Sequence, residues 1–117
     1  MINLADEILK KIQEINTIRA EIIKRGEAKA NAIGNYDRAM ALVIIQLKNG
    51  VEFDLHGVKI KEPAATYLKE IAKGLCEVEK IEMEKHEMLY KSVLTNLEAT
   101  LAQLNAFQSL FRYQQEN

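Results

Sequence analysis

The chain has 117 residues, enough for one domain, and its 16 Lys+Arg against 17 Asp+Glu leave a formal net charge of −1. That balance excludes a strongly cationic module that draws its affinity from many phosphates, and equally a wholesale acidic mimic of DNA. With 48% apolar residues the chain is too hydrophobic for intrinsic disorder, and one Pro, five Gly and no Trp leave too few turn signals for a β-sandwich.

The first segment, 1–48, reads as one long helix. Ile8, Ile12, Ile15, Arg19, Ile22, Gly26, Lys29, Ile33, Tyr36, Met40, Val43 and Leu47 alternate in steps of four and three, a heptad seam with nine of its twelve positions apolar. Glu7 with Lys11, and Glu21 with Arg25, each place a carboxylate four residues before a cation, a spacing that supports a helix. Gly26 and Gly34 each cost about 1 kcal/mol relative to Ala, and Gly34-Asn35 has the composition of a stop and a cap. The seam nevertheless keeps its phase across both glycines, so one helix is expected, bent there if anywhere. Such a helix would be roughly 67 Å long and needs a second long helix beside it.

Asn49-Gly50 is a C-terminal stop, with Gly50 suited to the left-handed cap. The alternation in Val51–Leu55 and again in Val58–Lys61, around His56-Gly57, predicts a β-hairpin with a two-residue loop in the 49–61 insert, packed on a neighbour. Glu62-Pro63 predicts the start of a short helix over 62–75, with Pro63 in its first turn and Gly74 as the break or bend before the last helix. From 76 to 117 a second seam follows: Cys76, Glu79, Met83, His86, Tyr90, Val93, Leu97, Thr100, Leu104, Phe107 and Phe111, widened by Leu94 and Leu101. A face that wide suits a bundle of three or four helices. The expected fold is therefore mainly α, one domain over 1–117: an antiparallel hairpin of long helices with a small β-hairpin and short helix at the connection, assembling into an oligomeric bundle.

Candidate chemistry is sparse. His56 falls in the hairpin turn and His86 on the second seam, with no metal-binding spacing around either. Lone Cys76 cannot form an intrachain disulfide; as a nucleophile it would need a base and an oxyanion site, and its seam position reads instead as a small buried hydrophobe. The acidic run Glu77, Glu79, Glu82, Glu84 and Glu87, interleaved with Lys80 and Lys85, lacks the Glu-x-x-His repeats of a di-metal bundle and reads as a solvated face with intrahelical ion pairs. No catalytic residue, metal or cofactor is expected. The start of the chain, Met1-Ile2-Asn3-Leu4-Ala5-Asp6-Glu7, has no secretory pattern, and the longest apolar run, Ala39–Ile45, is far short of a membrane span, so the expected location is the cytoplasm.

The first helix carries Lys10, Lys11, Arg19, Lys24, Arg25, Lys29 and Arg38. Residues 1–48 are net +2, the hairpin 0 and residues 62–117 net −3, a mild asymmetry that would align antiparallel helices or steer an acidic partner. Aromatic interleaving for single-strand binding and a phosphate loop are both missing from the pattern. Arg19 and Lys29, polar residues within the seam, read as register-setting. Their alternative role, with Arg25 and Arg38, is contact with a ligand or partner, including an anion or nucleotide between subunits.

The run Arg25-Gly26-Glu27-Ala28-Lys29-Ala30, then Gly34-Asn35-Tyr36-Asp37-Arg38-Ala39, together with Ile71-Ala72-Lys73-Gly74 before a Glu-rich helix and Gln103-Leu104-Asn105-Ala106-Phe107-Gln108-Ser109, resembles short helical proteins. These are encoded in early, recombination-associated regions of phages and prophages of Gram-positive bacteria. The resemblance implies a setting: proteins there assist recombination, or bind and disable host nucleases and defence complexes. The expectation is a non-enzymatic, self-associating protein that binds and modulates or inhibits a host or phage DNA-processing or defence protein. A nucleic-acid-binding accessory to recombination and a nucleotide-sequestering oligomer are its rivals.

Overall fold

The computed structural model describes residues 3–116; positions 1, 2 and 117, at the ends of the expected domain, lie outside the described residues. Helix α1 spans Leu4–Lys48, strands β1 and β2 span Phe53–Leu55 and Val58–Ile60, helix α2 spans Leu68–Leu75 and helix α3 spans Glu77–Glu116. The chain is mainly helical, as expected, with the two-stranded sheet and short helix at the connection. Cα packing divides it into two compact units, residues 3–27 with 88–116 (unit 1) and residues 28–87 (unit 2).

Helix α1 opens on a side-chain cap, the Asp6 N–H donating to Asn3 Oδ1 at 3.3 Å. It runs without a break through Gly26 and Gly34. A Cβ on Gly26 would sit 3.5 Å from the Tyr90 ring, so the missing side chain lets the ring of α3 lie against the α1 backbone. The helix stops where Asn49-Gly50 predicts. Gly50 adopts φ +80°, its N–H donates to Leu47 O, and the Val51 N–H donates to Gln46 O at 3.0 Å. This double closure is the Schellman arrangement that glycine favours.

In unit 1, α1 and α3 run antiparallel around Ile15, Ile18 and Thr100, which are 5%, 8% and 4% exposed. Thr100 satisfies its hydroxyl within its own helix by donating to Asn96 O at 2.8 Å. All eleven positions of the expected α3 seam are buried or half-buried. The α1 seam holds at ten of twelve positions. Ile12 and Arg19 are exposed, and Lys11 and Ile18 face inward instead. The cause is the helical period: at 3.6 residues per turn a stripe drifts about 20° per heptad. The covered face therefore follows Ile8, Lys11, Ile15, Ile18 and Ile22 early, and Lys29, Ile33, Tyr36, Met40, Val43 and Leu47 later.

In unit 2 a third element closes over the helices. β1 and β2 pair antiparallel in the register Phe53 to Ile60 and Leu55 to Val58. His56 and Gly57 take φ +48° and +85°, the two left-handed residues of a type I′ turn, and Asp54 Oδ1 accepts the Gly57 N–H at 2.8 Å. The hairpin packs on α2 through Leu55, whose Cδ2 lies 3.3 Å from where a Cβ on Gly74 would be. Gly74 thus lies within α2 and permits a close approach, and the boundary expected between residues 75 and 76 falls at Cys76. The Cys76 N–H donates to Ala72 O and its carbonyl accepts the Lys80 N–H, so one residue ends α2 and begins α3. The helix expected at Pro63 also starts later. Glu62 has φ +48° and Ala64 is extended, with a single 3-10 turn at Ala65–Tyr67 preceding α2. The clash of the proline ring with the residue before it keeps this stretch out of the α region. Leu47, Ala72 and Cys76, at 1%, 0% and 1% exposed, form the most deeply buried part of this unit.

Candidate interaction surfaces

The four cations singled out in the sequence do not converge. Arg19 and Arg25 belong to unit 1, Lys29 and Arg38 to unit 2. At 100° per residue, Arg19 and Arg25 in unit 1 lie about 120° apart around α1, and Lys29 and Arg38 in unit 2 about 180° apart. Arg19 is exposed, off the seam rather than within it. Arg25 is committed to Glu21, its Nε donating to Oε1 at 2.8 Å. Lys29 is half-buried on the seam. The Arg38 guanidinium folds back over Gly34 and donates to Asn35 Oδ1 at 2.6 Å. This arrangement offers no cradle for a phosphate or nucleotide.

The expected ion pairs are partly redistributed. Glu21–Arg25 forms as the spacing requires. Glu7 pairs instead with Lys10, while Lys11 turns to Glu14 at 3.1 Å. Lys11 stands on the covered face with its side chain 17% exposed, so its ammonium must reach out along the nearest exposed flank. On α3, Glu77, Glu82 and Glu84 are exposed as expected while Glu79 and Glu87 are half-buried, and the expected Glu–Lys pairs do not form: among the described residues neither Lys80 nor Lys85 meets a carboxylate. Glu77 reaches the hairpin turn instead, its Oε1 lying 3.1 Å from His56 Nε2. Nothing in the sequence pairs these two residues, because their separation of 21 positions is closed only by the fold.

Cys76 is buried and its thiol is pushed above the ordinary 9.0, first by burial and then by the Glu79 carboxylate. A helix N-terminus would lower a thiol pKa; here desolvation outweighs it, and the residue behaves as a small apolar side chain. Among the described residues no group of three or more His, Cys, Asp or Glu is placed to hold a metal ion. No described helix is long and apolar enough to cross a membrane.

One groove of about 310 Å³ lies on a flank of unit 2, between α1 and α3. Ala32, 6% exposed, sits at its base and Val78, 67% exposed, at its rim. Asn31 and Asn35 line it from α1, with Glu79, Glu82 and His86 from α3. His86 Nε2 is 3.5 Å from Glu82 Oε2, whereas its Nδ1 is buried without a hydrogen-bond partner. Sequence reading places His86 on the seam but gives no sign of this groove, which arises from small Ala32 facing a flank of α3.

The surface of unit 1 is different in kind. Residues 99–111 of α3 contain none of the charged residues of the chain, and Leu101 and Leu110 stand outward there at 37% and 52% exposed. On α1 of the same unit Leu9 and Ile23 are 59% and 65% exposed. No family model, curated protein or solved structure matches the chain.

Proposed function

We propose that the protein is a non-enzymatic interaction protein, which binds and modulates or inhibits a DNA-processing or defence protein of a phage host or of the phage itself. The observation that carries the binding role is the charge-free stretch of α3 over 99–111, where Leu101 and Leu110 are exposed on opposite flanks of the helix. A surface helix ordinarily carries charge on its solvent side, and depletion of charge around apolar anchors is the compositional mark of the centre of a protein interface. The dispersal of Arg19, Arg25, Lys29 and Arg38 counts against the nucleic-acid and nucleotide alternatives. The choice of a DNA-processing or defence partner draws on the resemblance to proteins of phage early regions.

Affinity capture from host lysate, with and without nuclease digestion, tests this reading. Protein partners that survive digestion, and are lost with the chain carrying Leu101→Glu and Leu110→Glu, would support it. Partners lost on digestion would transfer the reading to nucleic-acid binding, and robust turnover of nucleic acid or nucleotide by the purified chain would end it.

A further inference from the structure

The end of α1 carries a chemistry of its own. Among the asparagines of the chain, Asn49 is the one that a glycine follows. Asn16, Asn31, Asn35, Asn96 and Asn105 lie inside α1 or α3, where the helical ladder ties the next residue's N–H to a carbonyl one turn back. Asn49 lies just past the end of α1 and is exposed, and its side-chain amide has no hydrogen-bond partner among the described residues.

The group beside that amide is the Gly50 nitrogen. Glycine has no Cβ, so nothing on its own residue shields the nitrogen from the Asn49 side chain. One backbone bond guards it: the Gly50 N–H donates to Leu47 O at 3.2 Å, the longest of the bonds that close the helix end. While that hydrogen is held by Leu47 the nitrogen cannot attack; when the cap opens it can. Helix ends open at the low end of the range of local unfolding free energies.

We propose that Asn49-Gly50 is a site of spontaneous deamidation, and that its product loosens the hairpin and α2 of unit 2. The Gly50 nitrogen gives its proton to water and attacks Cγ of Asn49, forming a C–N bond. The Cγ–Nδ2 bond then breaks, and the side-chain nitrogen takes up a proton and leaves as ammonia. A water molecule opens the five-membered imide at either of its two carbonyls, giving aspartate or isoaspartate. The sum is one water consumed and one ammonia released, with no oxidant or reductant.

Both products weaken the cap. Each places a new carboxylate at the negative end of the α1 dipole, close to Glu62, whose Oε1 lies 3.0 Å from where a Cβ on Gly50 would be. In isoaspartate the main chain also runs through the former side chain. The extra methylene between residues 49 and 50 carries the Gly50 and Val51 N–H groups off Leu47 O and Gln46 O, the two bonds that turn the chain back towards β1. No partner is needed for any of this, so the functional reading above stands or falls separately.

The full chain is aged in mildly alkaline buffer, folded or in urea, and its proteolytic peptides are followed by mass spectrometry, with isoaspartyl methyltransferase detecting isoaspartate. Residue 49 is expected to convert about tenfold more slowly in the folded chain than in urea, the factor for a cap that opens at a cost near the low end of local unfolding. In the folded chain it still converts ahead of Asn31, Asn35, Asn96 and Asn105. Asn49→Gln, which would have to close a larger ring, is expected to gain no negative charge over the same period. Aged and fresh chains separated by charge are then compared by amide exchange, which is expected to be about fivefold faster in β1 and β2 of the aged chain and unchanged at Ile15 and Ile18. A folded chain whose Asn49 stays intact while the urea sample converts would overturn the proposal. So would helical asparagines that convert as fast, a charge shift that persists in Asn49→Gln, or an aged chain whose hairpin exchanges no faster.

Discussion

Unit 1 is two helices side by side, whereas unit 2 adds a hairpin and a short helix over the same pair, and burial follows that difference. Leu47, Ala72 and Cys76 in unit 2 are exposed by no more than 1%, while Ile15 and Ile18 in unit 1 retain 5% and 8%. A helix presents a curved surface, so two of them shield only the line along which they touch. A third element covers the remaining angle and takes water away from all sides. The hairpin is a lid on the helices as well as a connection between them, and unit 1 has nothing equivalent.

That contrast is most exposed to test by cavities. Leu47→Ala is expected to cost about 4 kcal/mol and Ile15→Ala about 2.5 kcal/mol, towards the upper and lower parts of the range for large-to-small core changes. Urea unfolding followed by circular dichroism reads both. The closed end of unit 2 can relax less around a void, and Leu47 is more completely buried than Ile15. Equal costs would mean that the lid adds no packing of consequence. A larger cost at Ile15 would mean that unit 1 is covered in solution by something beyond its own two helices.

How much of this was legible in the sequence depends on how local the cause is. The α3 seam, the stop at Gly50 and the His56-Gly57 turn were all readable, because each rests on a period or a φ preference within a few residues. The α1 seam was misplaced at Ile12 and Arg19 because a strict four-three alternation ignores the drift of a 3.6-residue turn. The boundary expected between residues 75 and 76 falls at Cys76, and Gly74, expected to break or bend the chain, lies within α2. Glycine weakens a helix, but here its missing side chain is used for contact with Leu55, and only the fold brings that residue near. The same holds for the groove beside His86 and for the pairing of His56 with Glu77. The charge-free stretch 99–111 was present in the sequence all along; its significance needed the exposures of Leu101 and Leu110.

A smaller effect tests the device that turns the chain back to form the lid. Gly50→Ala forces a residue with a Cβ to hold φ +80°, and that Cβ would stand 3.0 Å from the flexible end of Glu62. The expected loss is about 1 kcal/mol, with the loosening confined to unit 2. Amide exchange should accelerate in β1, β2 and α2 and stay unchanged at Ile15 and Ile18. A loss spread evenly over both units would mean that they unfold only together.

The smallest effect is confined to alkaline solution and reads the lid from inside. Burial raises the Cys76 thiol first, and Glu79 adds to it, so the folded chain keeps the thiol protonated where the unfolded chain has begun to release its proton. Stability from this group is complete below the ordinary thiol value of 9.0 and is lost as pH rises from there through the higher pKa of the folded state. Cys76→Ala lacks that loss. The stability difference between the two chains, measured by urea unfolding, should therefore narrow as pH climbs past 9.0, whatever other groups titrate in both. At neutral pH the thiol should react with a disulfide reagent only as fast as unit 2 opens, and Gly50→Ala should speed that reaction by the factor that it adds to amide exchange in β1 and β2. If the thiol reacts freely in the intact protein, the hairpin and α2 do not seal the end of the helices, and the difference in burial between the two units disappears.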